Sequence, residues 1–173
     1  MTKRINNFDC LVTEINKSGK DTIAIDGYMS AGKTFLSDKL KTHIKKKVFR
    51  LDEYRKDSIH FNENVYQSLE KTDLKIIVEG IESIKICQRY DSVINIFVEI
   101  TDYCKCPSSL EIVKLGNKSN WDRKTMFNYL NQERDQNPKV DFSLDERSIE
   151  YFVNFRPFEK TDIIYSELNC CSS

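Results

Sequence analysis

Residues Gly27 to Thr34 read Gly-Tyr-Met-Ser-Ala-Gly-Lys-Thr, which completes the pattern G-x-x-x-x-G-K-[ST] of a phosphate-binding loop. An apolar run rich in β-branched residues, Thr22-Ile23-Ala24-Ile25-Asp26, precedes it, and a helix-forming run follows. The bare pattern can arise by chance, as a glycine-rich turn that happens to end in Lys-Thr. A strand before it and a helix after it argue against chance. Gly27 and Gly32 let the backbone turn tightly and approach phosphate oxygens. The backbone N–H groups of Gly27, Tyr28, Met29, Ser30, Ala31, Gly32, Lys33 and Thr34, at the start of a helix, form an anion cradle. Lys33 adds a mobile positive charge for the β and γ phosphates, and the Thr34 hydroxyl is of the type that ligates Mg²⁺. The expected ligand is therefore a nucleoside triphosphate, with ATP as phosphate donor and Mg²⁺ as its ion.

The 173 residues are enough for one domain with a real core, so a single domain over 1–173 is expected, with about 102–135 as its lid region. Lys and Arg total 27, as do Asp and Glu, so the balanced charge carries no footprint for nucleic acid or an anionic membrane. No apolar run is long enough to span a bilayer. The start, Met1-Thr2-Lys3-Arg4-Ile5-Asn6-Asn7, lacks the apolar core of a signal peptide. A cytoplasmic protein is expected, without nucleic-acid or membrane partners; a homo-oligomer is left open. Six cysteines raise the question of zinc. Neither Cys104-Lys105-Cys106 nor Cys170-Cys171 has the two-residue gap of a zinc knuckle, and His43 and His60 are not spaced to complete one. Reduced thiols are the better reading, with Cys10 and Cys87 in buried segments.

Along the chain, Ile5, Phe8, Leu11, Val12 and Ile15 predict a leading amphipathic helix over residues 4 to 17. The first strand is Thr22 to Asp26. The helix after the loop spans about Lys33 to Lys46, with Phe35, Leu36, Leu40 and Ile44 on one face. Its basic end, Lys45-Lys46-Lys47, suits a helix C-terminus. The second strand is Val48-Phe49-Arg50-Leu51, and residues 58 to 71 form a helix with Val65 and Leu69 inward. The third strand is Lys75 to Gly80, whose consecutive apolar residues suggest burial on both faces. A helix over Ile81 to Tyr90 and a fourth strand over Ser92 to Glu99 follow. Residues 102 to 120, with Pro107, Gly116, Asn117 and Ser119, read as loop and short helical pieces. Trp121 to Glu133 and Ser143 to Phe152 read as helices, the second with Ser143 and Glu146 as a capping box. The fifth strand is Thr161 to Tyr165. Strands alternating with helices imply a three-layer, doubly wound α/β fold with a mainly parallel five-stranded sheet.

Such sheets bind ligands beyond the carboxyl ends of their strands. Gly27, Asp52 and Glu79 all fall at those ends in the first three strands. Phosphoryl transfer needs a phosphate cradle, a metal, a group to receive the acceptor's proton, and positive charge on the transferring phosphate. Asp52 is the candidate base and a candidate metal neighbour; a turn or helix-cap aspartate is its bland alternative. Glu79 ends an apolar strand, where a carboxylate is costly unless paired or near a metal. Thr34, Asp52 and Glu79 are the candidate Mg²⁺ set, and Asp26 reads as structural. For the transfer cation the candidate is Arg123, near the start of the Trp121 helix, with Lys114, Lys118, Arg134, Arg147 and Arg156 nearby. His60-Phe61 lies at a distance past Asp52 that suits a substrate pocket; a core-facing Phe61 is the alternative. Trp121 reads as a packing residue.

These residues together resemble the uridine kinase-like family of P-loop phosphotransferases. The resemblance rests on Ile25-Asp26-Gly27 running into Ala31-Gly32-Lys33-Thr34, on Leu51-Asp52-Glu53-Tyr54, on Ile77-Val78-Glu79-Gly80, and on Phe155-Arg156-Pro157 followed by Thr161-Asp162-Ile163-Ile164. It covers about Thr22 to Tyr165 in order. It implies a nucleoside-kinase-like fold, Asp52 as catalytic acid/base, and Thr34, Asp52 and Glu79 around Mg²⁺. Two features differ. Cys104 to Asn120 contains no arginine where the family carries an R-R-x-x-R-D lid, and the segment after strand two is reduced to His60-Phe61-Asn62-Glu63-Asn64. The expected activity is ATP-dependent phosphorylation of a hydroxyl on a small, nucleoside-like molecule of the uridine or cytidine type. The rival readings are a nucleotide-binding regulatory protein that has lost transfer, and a P-loop kinase of another acceptor such as a vitamin or nucleotide sugar.

Overall fold

The computed structural model of the chain describes residues 2–56, 61, 64–100 and 107–166. Six strands form one sheet in the order β1-β6-β5-β2-β4-β3, and all five pairings are parallel. They are β1 (Lys3–Ile5), β2 (Thr22–Gly27), β3 (Lys47–Arg50), β4 (Ile76–Glu79), β5 (Val93–Val98) and β6 (Ile163–Tyr165). The helices are α1 (Phe8–Ser18), α2 (Lys33–Ile44), α3 (Val65–Glu70), α4 (Ser83–Cys87), α5 (Pro107–Lys118), α6 (Arg123–Gln136) and α7 (Ser143–Phe155). Among the described residues, no helix is long and apolar enough to cross a membrane.

The core follows from strand alternation in a sheet covered on both faces. Ile23 and Ile25 of β2 face α1 and α2, packing with Leu11, Ile15, Leu36 and Leu40. Ala24 between them faces the other way, with Val78, Ile84, Leu69 and Leu51. A third buried cluster joins Tyr28 and Phe97 to Trp121, Met126, Leu130 and Phe152 on α6, α7 and the segment before α6. Every residue of β2 and β4 is buried, the apolar runs Ile23 to Ile25 and Ile76 to Val78 along with the polar Thr22, Asp26 and Glu79.

Several expected elements are corrected. The sheet has six strands rather than five, because Lys3–Ile5 pairs with β6 in the register Lys3↔Ile163 to Ile5↔Tyr165. The leading helix therefore starts at Phe8, not residue 4, where Asn7 caps it by accepting the Cys10 amide proton at 3.0 Å. A three-residue edge strand with one apolar side chain has no readable period. Phe35 is 55% exposed, so it does not join the inner face of α2. Residues 107 to 118 form a full helix despite Gly116, because that glycine lies against the Trp121 ring. The capping box at Ser143 does not form. Ser143 is the first helical residue, its amide donates to Asp141, and Glu146 instead pairs with Arg134. Cys87 is buried as expected, but Cys10 is exposed.

Candidate functional site

The centre of the sheet delivers the phosphate-loop sequence to its carboxyl edge. Gly27 ends β2 with φ of 152°, and a Cβ there would lie 2.5 Å from the Val98 carbonyl oxygen of the neighbouring strand. Only glycine fits that approach. Ser30 (φ 59°) and Gly32 (φ 88°) then carry the chain through left-handed backbone into α2. Lys33 opens α2 and folds back so that its Nζ donates to the Tyr28 carbonyl at 2.8 Å. Burial pushes its pKa down, opposed by the nearby Asp26, Glu79 and Asp52 carboxylates. The Tyr28 side chain turns away from the loop. Its ring packs edge-on against Phe152 at 5.5 Å, and its hydroxyl donates to Asp145 at 3.2 Å.

Three acids stand around this loop in different roles. Asp26 is fully buried and accepts from the Gly27 amide at 2.7 Å, the Ile84 amide at 3.1 Å and the Tyr151 hydroxyl at 2.6 Å. Burial pushes its pKa up to about 6 against the pull of those donors. It ties the loop to α4 and α7, as a structural residue does. Glu79 ends β4, in register with Ile25 and Arg50 on the flanking strands. It is nearly buried, accepts from the Thr34 hydroxyl at 3.3 Å, and lies 3.8 Å from the Arg50 guanidinium. Burial raises its pKa; the charge of Lys33 lowers it and that of Asp52 raises it. Asp52 lies in a 3-10 turn, Leu51–Tyr54, directly after β3. Its carboxylate is 69% exposed and accepts from Arg55 Nε at 2.9 Å.

Met29, Ser30, Gly32, Lys33, Thr34, Asp52 and Glu79 line one cleft of about 480 Å³, closed by Arg55, Ile81 and Leu144. Gly27, Tyr28 and Ala31 belong to the loop but do not line the cleft. Neither does Arg123, which stands at the start of α6, pairs with Glu150 at 3.0 Å and stacks on Phe127, at 55% exposure. Three of the other cations weighed with it make ion pairs: Arg134 with Glu146, Arg147 with Glu82, and Arg156 with Glu159, the last also donating to the Asn120 carbonyl. Trp121 is buried against Phe152 and Phe158, as a packing residue is. His60, Cys104, Cys106, Cys170 and Cys171 lie outside the described residues. A second cavity, about 320 Å³, is lined by Tyr28, Phe97, Trp121 and Phe158, and its charged pair, Arg4 and Glu99, is satisfied internally at 2.9 Å.

Arg55 is the site residue that sequence reasoning missed. Its only signal was its spacing, three residues past Asp52 in a turn. Its side chain is 10% exposed, and its Nη1 and Nη2 are buried without a hydrogen-bond partner among the described residues.

The donors suit a hard cation. Thr34 and Glu79 bring a hydroxyl and a carboxylate together, and Asp52 lines the same cleft. Among the described residues, no group of three or more His, Cys, Asp or Glu is placed as a metal cage. Mg²⁺ is commonly held by one or two carboxylates while water and phosphate oxygens complete its shell, so this set fits it.

No protein-family model matches the chain, and no curated protein matches it. Among solved structures it is similar to an uncharacterized protein from Eubacterium ventriosum, at 16% identity over 84% of this chain and 86% of that one, with a TM-score of 0.44. A likeness at that level carries no argument about function.

Proposed function

We propose that the chain is an ATP- and Mg²⁺-dependent phosphotransferase acting on a hydroxyl of a small molecule. The observation that carries this is the single cleft shared by Lys33, Thr34, Asp52 and Glu79 at the carboxyl edge of a parallel sheet, beside a glycine-lined loop. Lys33 exchanges its bond to the Tyr28 carbonyl for the oxygens of the β and γ phosphates. The loop amides hold the same phosphates and fix the γ phosphorus in the cleft. The acceptor oxygen attacks that phosphorus, the bond to the β–γ bridging oxygen breaks, and ADP leaves. Asp52, on the solvent side, receives the acceptor's proton. Mg²⁺, when bound, neutralises phosphate charge, and Thr34, Glu79 and Asp52 are the residues that would hold it, directly or through water. The resemblance to uridine kinase-like enzymes favours a nucleoside-like acceptor.

A second reading, nucleotide binding without transfer, is favoured by two observations: Asp52 is engaged by Arg55, and Arg123 stands outside the cleft. One assay separates the two. ADP release is followed with a panel of nucleosides and other alcohols, alongside calorimetric MgADP binding. Transfer predicts turnover that falls at least about a hundredfold in Asp52→Asn with nucleotide affinity kept, and binding itself lost in Lys33→Ala. Nucleotide binding with no turnover on any alcohol supports the second reading. Unchanged MgADP binding in Lys33→Ala overturns both.

A further inference from the structure

We propose that the acceptor is itself anionic, and that the free N–H groups of Arg55 and Arg147, which flank Phe61, seat its phosphate or carboxylate. This rests on the phosphotransferase reading and names its acceptor class.

The two arginines are arranged alike. Arg55 uses Nε on Asp52 at 2.9 Å, and Arg147 of α7 uses Nη2 on Glu82 at 2.9 Å. That leaves Nη1 and Nη2 of Arg55, and Nε and Nη1 of Arg147, buried and without a hydrogen-bond partner among the described residues. Both guanidinium groups lie against the same ring, with their central carbons 4.5 Å and 5.1 Å from the Phe61 centroid. Arg55 and Phe61 are joined further as an isolated antiparallel bridge. Buried donors without acceptors are uncommon, and charged ones are the most costly to leave so. Four of them border one aromatic ring, a cationic seat without an anion among the described residues. Among the described residues, Glu82 and Asp52 do not fill it, because Glu82 also lies 4.0 Å from Lys85 and Asp52 is largely in solvent.

The position gives the seat a purpose. Arg55 lines the cleft with Lys33, Thr34 and Asp52, and its charge bears on Lys33. An oxyanion on its outer nitrogens is held one guanidinium width from the Asp52 carboxylate. A hydroxyl on the same molecule is thereby directed at the base and the transferring phosphorus. An uncharged nucleoside offers these donors only neutral oxygens, which make the weaker bonds. A nucleoside monophosphate, or another alcohol bearing phosphate or carboxylate, offers charged ones.

Calorimetry on the full chain tests this with MgADP saturating, so that the loop's own anion site is filled. The probes are inorganic phosphate, acetate, and the pair uridine and uridine 5′-monophosphate. Phosphate should bind, and the monophosphate should bind at least about tenfold more tightly than uridine, as a charge-assisted bond allows. Arg147→Met and Arg55→Met should each remove most of that advantage, and Arg147→Lys should retain part of it. Binding of phosphate but not acetate assigns the seat to phosphate esters; the reverse assigns it to carboxylates. No binding of either anion overturns the proposal, as does anion affinity that the methionine variants leave within about twofold. If Arg55→Met does not fold, Arg147→Met decides alone. Loss of MgADP binding in the parent, with anion binding intact, refutes the phosphotransferase reading and leaves the seat standing.

Discussion

Removing the Tyr151 hydroxyl should destabilise the protein by an amount that depends on pH. The hydroxyl donates to Asp26 at 2.6 Å, inside the core and next to the phosphate loop. Burial raises the Asp26 pKa from 3.8 to about 6, while Tyr151 and the Gly27 and Ile84 amides oppose the rise. The folded value lies above the unfolded one, so the carboxyl favours the fold when protonated. That contribution is complete below pH 3.8 and is lost as the pH rises through 6. Its full size is about 3 kcal/mol, from a difference of about two pH units. At pH 8 the Tyr151→Phe variant loses a bond to a carboxylate, worth about 2 kcal/mol; at pH 5, with most of the carboxyl protonated, it loses a neutral bond worth about 1 kcal/mol. Phenylalanine fills the same volume, so no cavity adds to the loss. Urea unfolding at the two pH values reads the difference directly. The variant should be less stable at both, by roughly 1 kcal/mol more at pH 8. Equal losses at pH 5 and pH 8, or no loss at pH 8, would refute the view that a charged Asp26 is held by this hydroxyl.

Three further outcomes are expected. Arg123→Ala should change kcat and the KM for ATP by less than about twofold, since its pair with Glu150 is exposed and away from the cleft; a large fall in kcat, read in the ADP-release assay, would restore it as the transfer cation. Gly116→Ala should lower stability by about 1–3 kcal/mol, because a Cβ there would lie 2.6 Å from the Trp121 ring; a thermal melt like the parent's would mean that Trp121 yields freely. Glu79→Gln should leave the fold intact but raise the Mg²⁺ concentration needed for half-maximal turnover several-fold, a shift that a purely structural partner of Thr34 and Arg50 would not produce.

The parts of the fold that could be read from sequence are those whose burial is symmetrical. Ile23 to Ile25 and Ile76 to Val78 are continuous apolar runs, and Val93 to Val98 is apolar but for Asn95, because helices cover both faces of the sheet. Their order and the helices between them follow from pattern. β1 could not be read this way. Lys3 and Arg4 are exposed at the sheet edge, and only Ile5 packs inward, so nothing local separates the strand from a helix start. The segment before α6 failed for the opposite reason. Gly116 and Asn120 look like loop residues and Trp121 like the start of a helix, yet the glycine admits the Trp121 ring against α5, and the positive-φ pair Asn120 and Trp121 turns the chain into α6, which begins at Arg123.

The site divides along the same line. The loop and the candidate base and metal residues could be placed from sequence because each sits at a strand end or in a fixed spacing, and parallel register brings strand ends together: Ile25, Arg50 and Glu79 stand side by side across β2, β3 and β4. A candidate cation is harder to place, because a guanidinium reaches its target from whatever element lies within its length. Arg123 had position along the chain to recommend it and is held by Glu150 away from the cleft. Arg55 had nothing but proximity to Asp52, and the 3-10 turn after β3 converts that proximity into a place on the cleft wall. If transfer occurs here, Arg55 is the cation nearest the chemistry besides Lys33, and its two free nitrogens are shared between transferring phosphate and acceptor anion. Such sharing has a kinetic signature. Arg55→Met should lower kcat and raise the KM of an anionic acceptor together, whereas Arg147→Met, which does not line the cleft, should raise the KM alone. Initial rates with uridine 5′-monophosphate as the varied acceptor measure the split. A fall in kcat confined to Arg147→Met would invert the assignment of the two arginines.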